Sequence, residues 1–405
     1  MKKEKENVVT EVDDDPKTLW NKNFIAILFV GFLSGTANQM VNPLLSKYVL
    51  SLGATLTMAG TIVGLQSGIA MFLRPISGAA SDTLNRKYVM MAASTVTGIA
   101  FTGYFLFGSI QSVLVCRVLQ GVSFAFMSVA RTTYATEFMP KDRIGEGVAF
   151  TSFGVVLSQA AGPSIGLWLQ ETWGYHVCFI VAIVCSFGGA VLLFFQHYKP
   201  KKKAFDKTRI QLQNLISVEV IPYALISGMF SQITSLSNSF IALIGDARGI
   251  VGVGMFFTTF SISALILRPA SGKVLDKMGL DVLIYPAFFF ASVTMVLLGT
   301  AQSLLFVILA GLTKALSQGI ALPSIHGASI KRLGKEKAGV SSATIHMGSD
   351  FMNSLSPTIG ATVASAVGFD YMYYVYAIAI PLIGIPAYWL IRRSEKKRDL
   401  ARGVL

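Results

Sequence analysis

Apolar residues in this chain come in long runs that are separated by short polar links. A helical run of roughly 20 apolar residues crosses about 30 Å of hydrocarbon, because each helical residue adds about 1.5 Å. The chain is therefore predicted to be an all-α integral membrane protein. The pattern predicts twelve transmembrane helices, at about 23–48, 57–78, 88–108, 112–137, 145–170, 175–197, 217–243, 249–272, 282–300, 303–328, 338–366 and 369–392.

Composition agrees with this class and excludes others. Of the 405 residues, 53% are hydrophobic and 14% charged, with a mean hydropathy of +0.60. A soluble domain carries roughly a quarter charged residues, so a water-soluble enzyme is excluded. The net charge of +13 is not concentrated on a soluble domain, and we expect no nucleic-acid partner. Cys116, Cys178 and Cys185 lie in apolar runs without metal-ligand spacing, so we expect no metal site.

The positions of Lys and Arg predict the orientation of the chain in the membrane. All but five of the 34 fall on the side that faces both termini. Lys47 and Arg248 fall on the opposite side, while Arg117, Arg131 and Lys314 lie within helices. This asymmetry predicts a multi-pass protein of the cell membrane, plasma or inner, with both termini in the cytoplasm and an even number of spans.

One long polar link divides the chain into two predicted halves. It is the basic segment at 198–216, which we interpret as a cytoplasmic linker. Six-helix halves are predicted at 23–197 and 217–392, with cytoplasmic tails at 1–22 and 393–405.

An internal repeat relates the two halves. RPISGAASD at 74–82 returns as RPASGKVLD at 268–276, an offset of 194 residues. At the same offset, three residues of the first half match three of the second: Gly154, Pro163 and Gly166 match Gly348, Pro357 and Gly360. The repeat predicts pseudo-symmetric halves with a substrate site at their interface.

At these motifs the sequence resembles the major facilitator superfamily, and within it the twelve-helix drug:proton antiporter branch. GAASDTLNRK at 78–87 is similar to the family's G-x-x-x-D-x-x-G-R-K loop, and RVLQG at 117–121 to R-x-x-Q-G of helix 4. Gly154, Gly162, Pro163 and Gly166 resemble the antiporter motif of helix 5. Two departures are clear: Asn85 replaces a loop Gly, where we expect it to tolerate left-handed backbone, and helix 1 lacks an acidic residue.

The loop between helices 2 and 3 is a candidate gate. Gly78 would let neighbouring helices approach closely, and Asp82 could accept hydrogen bonds from a helix N-terminus and pair with a base such as Arg143. The resemblance implies that this loop holds the cytoplasmic side shut in the outward-facing state. Arg86 and Lys87 could equally set topology alone. The candidate gating residues are Gly78, Asp82, Arg86, Arg143, Gly272 and Asp276.

The small residues and proline of helix 5 predict tight packing and a bend. Physics alone leaves a bend without a role in coupling equally open, and the resemblance is what links it to exchange. The candidate residues are Gly154, Gly162, Pro163 and Gly166.

Charges at membrane depth are the strongest pointers to chemistry, because each must be paired or hydrated. Lys314 lies level with His346 and Asp350, which share a helical face at i, i+4, so a Lys-Asp-His cluster is predicted. Asp350, assisted by His346, is the candidate proton site. The alternative is a static Lys314–Asp350 ion pair. Arg117 is a candidate substrate ligand, or else a group that organises exposed backbone.

Polar side chains on helices 1 and 7 complete the predicted substrate site, or else join helices by hydrogen bonds. They are Asn38, Asn42, Gln232 and Asn238. Helix 1 is neutral and Arg117 and Lys314 are basic, so we expect neutral, zwitterionic or carboxylate-bearing solutes to be preferred over permanent cations.

Together these features predict a secondary active transporter that works by alternating access, a proton-coupled exporter of small organic solutes or drugs. Alternatives are export of an anionic or zwitterionic metabolite, such as a carboxylate-bearing metallophore or a sugar-like solute, and proton-coupled uptake. An intramembrane enzyme or a non-transporting receptor would be a different class.

No G-x-x-x-x-G-K-[ST] motif occurs, so we expect no nucleotide, no cofactor and no enzyme activity. The expected partners are solute, protons and bilayer lipid, with the monomer as functional unit.

Overall fold

The protein is all-helical in a computed structural model that describes residues 18–140, 143–196, 216–334 and 337–401. Side chains at 79, 81–83, 144, 145, 148, 149, 152, 338 and 397–401 are outside this description. The long helices are α1 (Lys22–Ser51), α2 (Leu56–Thr83), α3 (Arg86–Leu106), α4 (Ile110–Ala135), α5 (Ile144–Trp173), α6 (Tyr175–Phe195), α7 (Ile221–Arg248), α8 (Met255–Met278), α9 (Asp281–Thr300), α10 (Leu304–Lys314), α11 (Ile320–Leu333), α12 (Ala338–Val367) and α13 (Phe369–Ala401).

Helices α10 and α11 make one continuous rod. A π-helical turn at Ala315–Gly319 joins them, directly after Lys314. Counted this way, the described helices form twelve rods, which confirms the predicted number. Most of the predicted 198–216 linker and 1–22 tail lie outside the described residues, and α13 runs on past the predicted helix end at 392.

Eight of the described rods are long and apolar enough to cross a membrane by length and composition: α1, α2, α3, α4, α6, α9, the α10–α11 rod and α13. The other four rods, α5, α7, α8 and α12, each carry several Ser and Thr residues among their apolar ones. These polar side chains lower the hydropathy, and many of them face a central cavity rather than lipid.

Short polar residues define where several helices begin. Asn21, Thr55 and Ser109 each accept a hydrogen bond from a backbone N–H in the first turn of the helix that follows. Asn85 does the same for α3, with φ of −66°, so our expectation of left-handed backbone there is wrong. The repeat counterpart Gly279, with φ of +83°, does adopt the conformation that favours glycine.

Glycines let equivalent helix pairs pack closely in the two halves. In the first half, α5 packs on α1, where a Cβ at Gly162 would lie 2.7 Å from Gln39 Cβ. In the second, α12 packs on α7, where a Cβ at Gly360 would lie 2.7 Å from Leu236 Cδ2. The predicted tight packing of the helix 5 motif is therefore seen at Gly162, whereas Gly154 has looser surroundings.

The two halves touch at one end of the bundle, where α1 ends and α2 begins, which we call the far end. There Gly60 meets the backbone of Pro357, and a Cβ at Gly254 would lie 2.7 Å from Ser164 Cα. Lys47 on α1 also forms a 2.7 Å ion pair with Asp246 on α7. The opposite end, where α1 begins, we call the termini end.

Gly166 provides a test of this packing. A Cβ at residue 166 would collide with the carbonyl oxygen of Met40, so Gly166→Ala should destabilise the protein by about 1–3 kcal/mol through overpacking. Gly188→Ala is the matched control, because a Cβ there meets nothing within 4 Å. Thermal unfolding of the purified variants measures both. Equal unfolding midpoints would contradict the close α1–α5 contact.

Candidate functional site

A cavity of about 1930 Å³ lies between the two halves. Its lining extends from Asn42 and Val63, in the middle of the bundle, to Thr133 and Lys337 at the termini end. Gly78 and Gly272 flank this end, and a Cβ at either would meet nothing within 4 Å. Among the described residues, the cavity thus extends between the halves to the termini end, and the close approach expected at Gly78 is not seen there.

The charge of the cavity lining is unbalanced. Among the described lining residues, six are Arg or Lys and one is acidic, so the cavity is strongly positive when these are ionised. The Arg and Lys residues are Arg74, Arg117, Arg131, Arg268, Lys314 and Lys337, and the acid is Asp350.

The acid forms an ion pair between the halves. Arg74 Nε on α2 lies 2.7 Å from Asp350 Oδ2 on α12, and both side chains are buried, at 7% and 6% exposure. Arg74 also donates to Ser128 Oγ at 2.9 Å and lies over the Phe124 ring. The count of Lys and Arg by side included Arg74 on the side of the termini, which is wrong: Arg74 lies within the candidate membrane span Leu56–Gly78, at the start of the RPISG motif.

The predicted Lys314–Asp350 contact is also wrong. Lys314 is 1% exposed, and its ammonium lies 4.2 Å from the Phe260 ring centre and 4.9 Å from that of Phe256. None of the described residues accepts a hydrogen bond from it. The rise per residue predicted the right depth, but α10 packs on α8 and α9 and so turns Lys314 towards the rings of α8.

The two histidines of the cavity lie together. His346 on α12 and His326 on α11 have ring centres 5.0 Å apart, and both line the cavity. On α12, His346 lies one helical turn from Asp350, as their four-residue spacing predicts. Sequence reasoning missed His326, because nothing in the spacing shows that α11 packs on α12.

Arg117 acts as an organiser of backbone. It is 2% exposed and donates to the carbonyl oxygens of Ile62 and Val63 at 3.2 and 2.9 Å. It also donates to the side-chain oxygens of Asn42 and Gln120. These four bonds favour the structural alternative for Arg117, although its place in the lining also leaves it accessible from the cavity.

Three of the four predicted polar ligands line the cavity. They are Asn38, Asn42 and Asn238, whereas Gln232 is absent from the lining, so its predicted role is not supported. Sequence reasoning missed other polar lining residues, notably Gln66, Gln159, Gln318 and Asn353. Arg74 and Arg268 carried a usable signal, since both stand at the start of the repeated RPxSG string.

At the termini end, the described members of the predicted gate pair with residues of their own half. Arg143 pairs with Glu146 at 2.7 Å, Arg86 pairs with Glu137, and Asp276 pairs with Lys331 at 2.6 Å. Each of these pairs lies within one half. The Asp82 side chain is outside the described residues, so the Asp82 gate stays a prediction.

The fold and the cavity define a multi-pass membrane transporter. The sequence model of one family, the Major Facilitator Superfamily, matches residues 27–357 and again residues 223–404. The chain therefore belongs to this family, whose members are secondary transporters and not enzymes. It is 24% identical over 394 residues to the Multidrug resistance protein MdtG of Yersinia enterocolitica, covering 93% of this chain and 95% of the relative.

Two further similarities extend across nearly the whole chain. The Multi-drug resistance efflux pump PmrA of Streptococcus pneumoniae is 23% identical, over 89% of this chain and 94% of that protein. The crystal structure of the POT family transporter PepTSo superposes with a TM-score of 0.76 at 12% identity, covering 94% of this chain and 99% of that one. The structural match confirms the predicted fold of two six-helix halves.

A double-mutant cycle tests which base pairs with Asp350. Arg74→Gln and Asp350→Asn should each destabilise the protein, by up to about 3–5 kcal/mol, because each leaves a buried charge unpaired. The double variant Arg74→Gln/Asp350→Asn should recover part of this loss. In the matched cycle, Lys314→Met and Asp350→Asn should be additive within about 0.5 kcal/mol. Thermal unfolding measures both cycles, and coupling to Lys314 instead of Arg74 would contradict the assignment.

Proposed function

We propose that the protein exports small organic solutes by alternating access, driven by proton entry. The observation that carries this proposal is that Asp350, the acid of the described cavity lining, bonds the two halves together through Arg74. The names of the relatives in Yersinia and Streptococcus, a multidrug resistance protein and an efflux pump, support the direction of transport.

The cytoplasm is the side from which we propose that solute enters. The excess of Lys and Arg on the side facing both termini favours that side as cytoplasmic, by the positive-inside rule. The cavity is open at the termini end and the halves meet at the far end, so this conformation would load solute from the cytoplasm. The Lys47–Asp246 ion pair would then close the outer side.

Protonation of Asp350 is the proposed coupling step. A carboxylate that takes a proton loses its charge, and its bond to Arg74 becomes a weaker one between a guanidinium and a neutral acid. Because the two side chains belong to different halves, protonation loosens a contact between the halves. His346 lies one turn away in the same lining, which supports a proposed role in passing the proton.

Uptake coupled to protons is the alternative with the same machinery. A cavity that contains a titratable acid suits both uptake and export. The two mechanisms differ only in whether solute and proton move in the same direction or in opposite directions. Solute movement in proteoliposomes of known orientation separates them: export requires solute to move against the direction of proton entry.

Asp350→Asn tests the coupling. This variant should keep exchange of solute between the two sides yet lose accumulation driven by a pH gradient, because Asn cannot take up a proton. Solute and proton fluxes in proteoliposomes, with a screen of solutes as substrates, measure both. Asp370→Asn is a control, because Asp370 pairs with Arg248 outside the cavity lining. Proton flux linked to solute at the wild-type level in Asp350→Asn would remove Asp350 from the coupling step.

Asp82→Asn tests the proposed gate. Asn keeps the size but loses the charge, so the variant should fold normally and transport at no more than about a tenth of the wild-type rate, consistent with loss of a charged hydrogen bond. Asp82→Glu, which keeps the charge, should retain more transport. Export assays on equal amounts of purified protein measure this, and full activity of Asp82→Asn would refute the gate.

A further inference from the structure

The two repeats differ at one charged position. Arg74 and Arg268 are equivalent in the repeated RPxSG string. The register set by Gly154 with Gly348, and by Pro163 with Pro357, makes Val156 on α5 the equivalent of Asp350 on α12. The first arginine thus has an acid to pair with, whereas the second has valine at the corresponding place.

Arg268 shows the consequence of this difference. It lines the cavity, and its buried Nε has no hydrogen-bond acceptor among the described residues. Val156 lines the same cavity and is 5% exposed. A buried arginine Nε that no described acceptor satisfies is unfavourable, so the position favours a ligand that brings a negative charge.

Lys314 is a second cation near the same helix, and it pairs with none of the described acids. It is almost completely buried and lies over the Phe260 ring of α8. Phe260, Ala264 and Arg268 follow each other at i, i+4 and i+8 and all line the cavity, so they form one face of α8. Arg268 lies about 12 Å along this helix from Phe260, by the helical rise.

We infer that the transported solute is an organic anion with an apolar body, and that its anionic group pairs with Arg268. The solute supplies the charge that Asp350 supplies beside Arg74, and its body lies along Ala264 towards the phenylalanines. Lys314 contributes positive potential at the other end of this face. The inference rests on the proposed function and adds to it the chemical class of the substrate.

Installing the missing acid tests the inference. Val156→Asp should place a carboxylate where the repeat lacks one and compete with the solute for Arg268, while Val156→Asn is the matched neutral control. The probes are 2-naphthoate, neutral 2-naphthol and the cation 2-naphthyltrimethylammonium. Ligand-induced thermal stabilisation of the purified protein in detergent gives their affinities, since stabilisation depends on the ratio of ligand concentration to Kd.

Wild-type protein should bind 2-naphthoate about tenfold more tightly than 2-naphthol, with the cation weakest, as expected for one charged hydrogen bond. Val156→Asp should lose about this factor for 2-naphthoate, and Val156→Asn should keep its affinity within about twofold. Arg268→Gln should also lose the preference for the anion without changing 2-naphthol binding. This third variant keeps the test decisive if Val156→Asp does not fold.

Unchanged 2-naphthoate binding in Arg268→Gln, or tightest binding of the cation, would overturn the inference. These measurements use no gradient, so they are independent of the proposed transport. If 2-naphthoate binds as expected but the wild-type protein does not transport it under a pH gradient, the anion site stands and the proposed export fails. If neutral or cationic solutes are exported without any preference for anions, the proposed export stands and the anion site fails.

Discussion

The ion pair between Arg74 and Asp350 is the interaction on which the rest of this transporter depends. Both side chains are buried at membrane depth, where a lone charge is strongly unfavourable, so each makes the other tolerable. The pair joins α2 to α12 and therefore links the two halves beside the cavity. It is for this reason that we propose Asp350, which can lose its charge by taking a proton, as the coupling group.

The two halves share their packing but not their chemistry. Glycines bring α5 onto α1 and α12 onto α7 in the same way, because close backbone contact needs only the absence of a side chain. Charges do not follow the repeat: Asp350 has Val156 as its counterpart. Of the two repeat-related arginines, Arg74 is paired with an acid, whereas the buried Nε of Arg268 has no acceptor among the described residues.

Closure at the far end and separation at the termini end have different physical origins. At the far end, the backbones at Gly60 and Gly254 touch the opposite half, and Lys47 pairs with Asp246. At the termini end, Arg143 and Asp276 pair with residues of their own half. In the proposed alternating access, ion pairs within a half would survive its movement as a unit, whereas contacts across the far end would have to break for the cavity to open there.

The sequence alone determined the class, the twelve rods and the pseudo-symmetric halves, because apolar run length, charge placement and the repeat are all properties of a linear pattern. It also identified Asp350 and the depth of Lys314, since helical rise converts residue number into height. Only the tertiary structure decided that Asp350 pairs with Arg74 and that Lys314 lies among phenylalanines. Height along a helix says nothing about which neighbour a side chain faces, because that depends on how helices distant in sequence pack side by side.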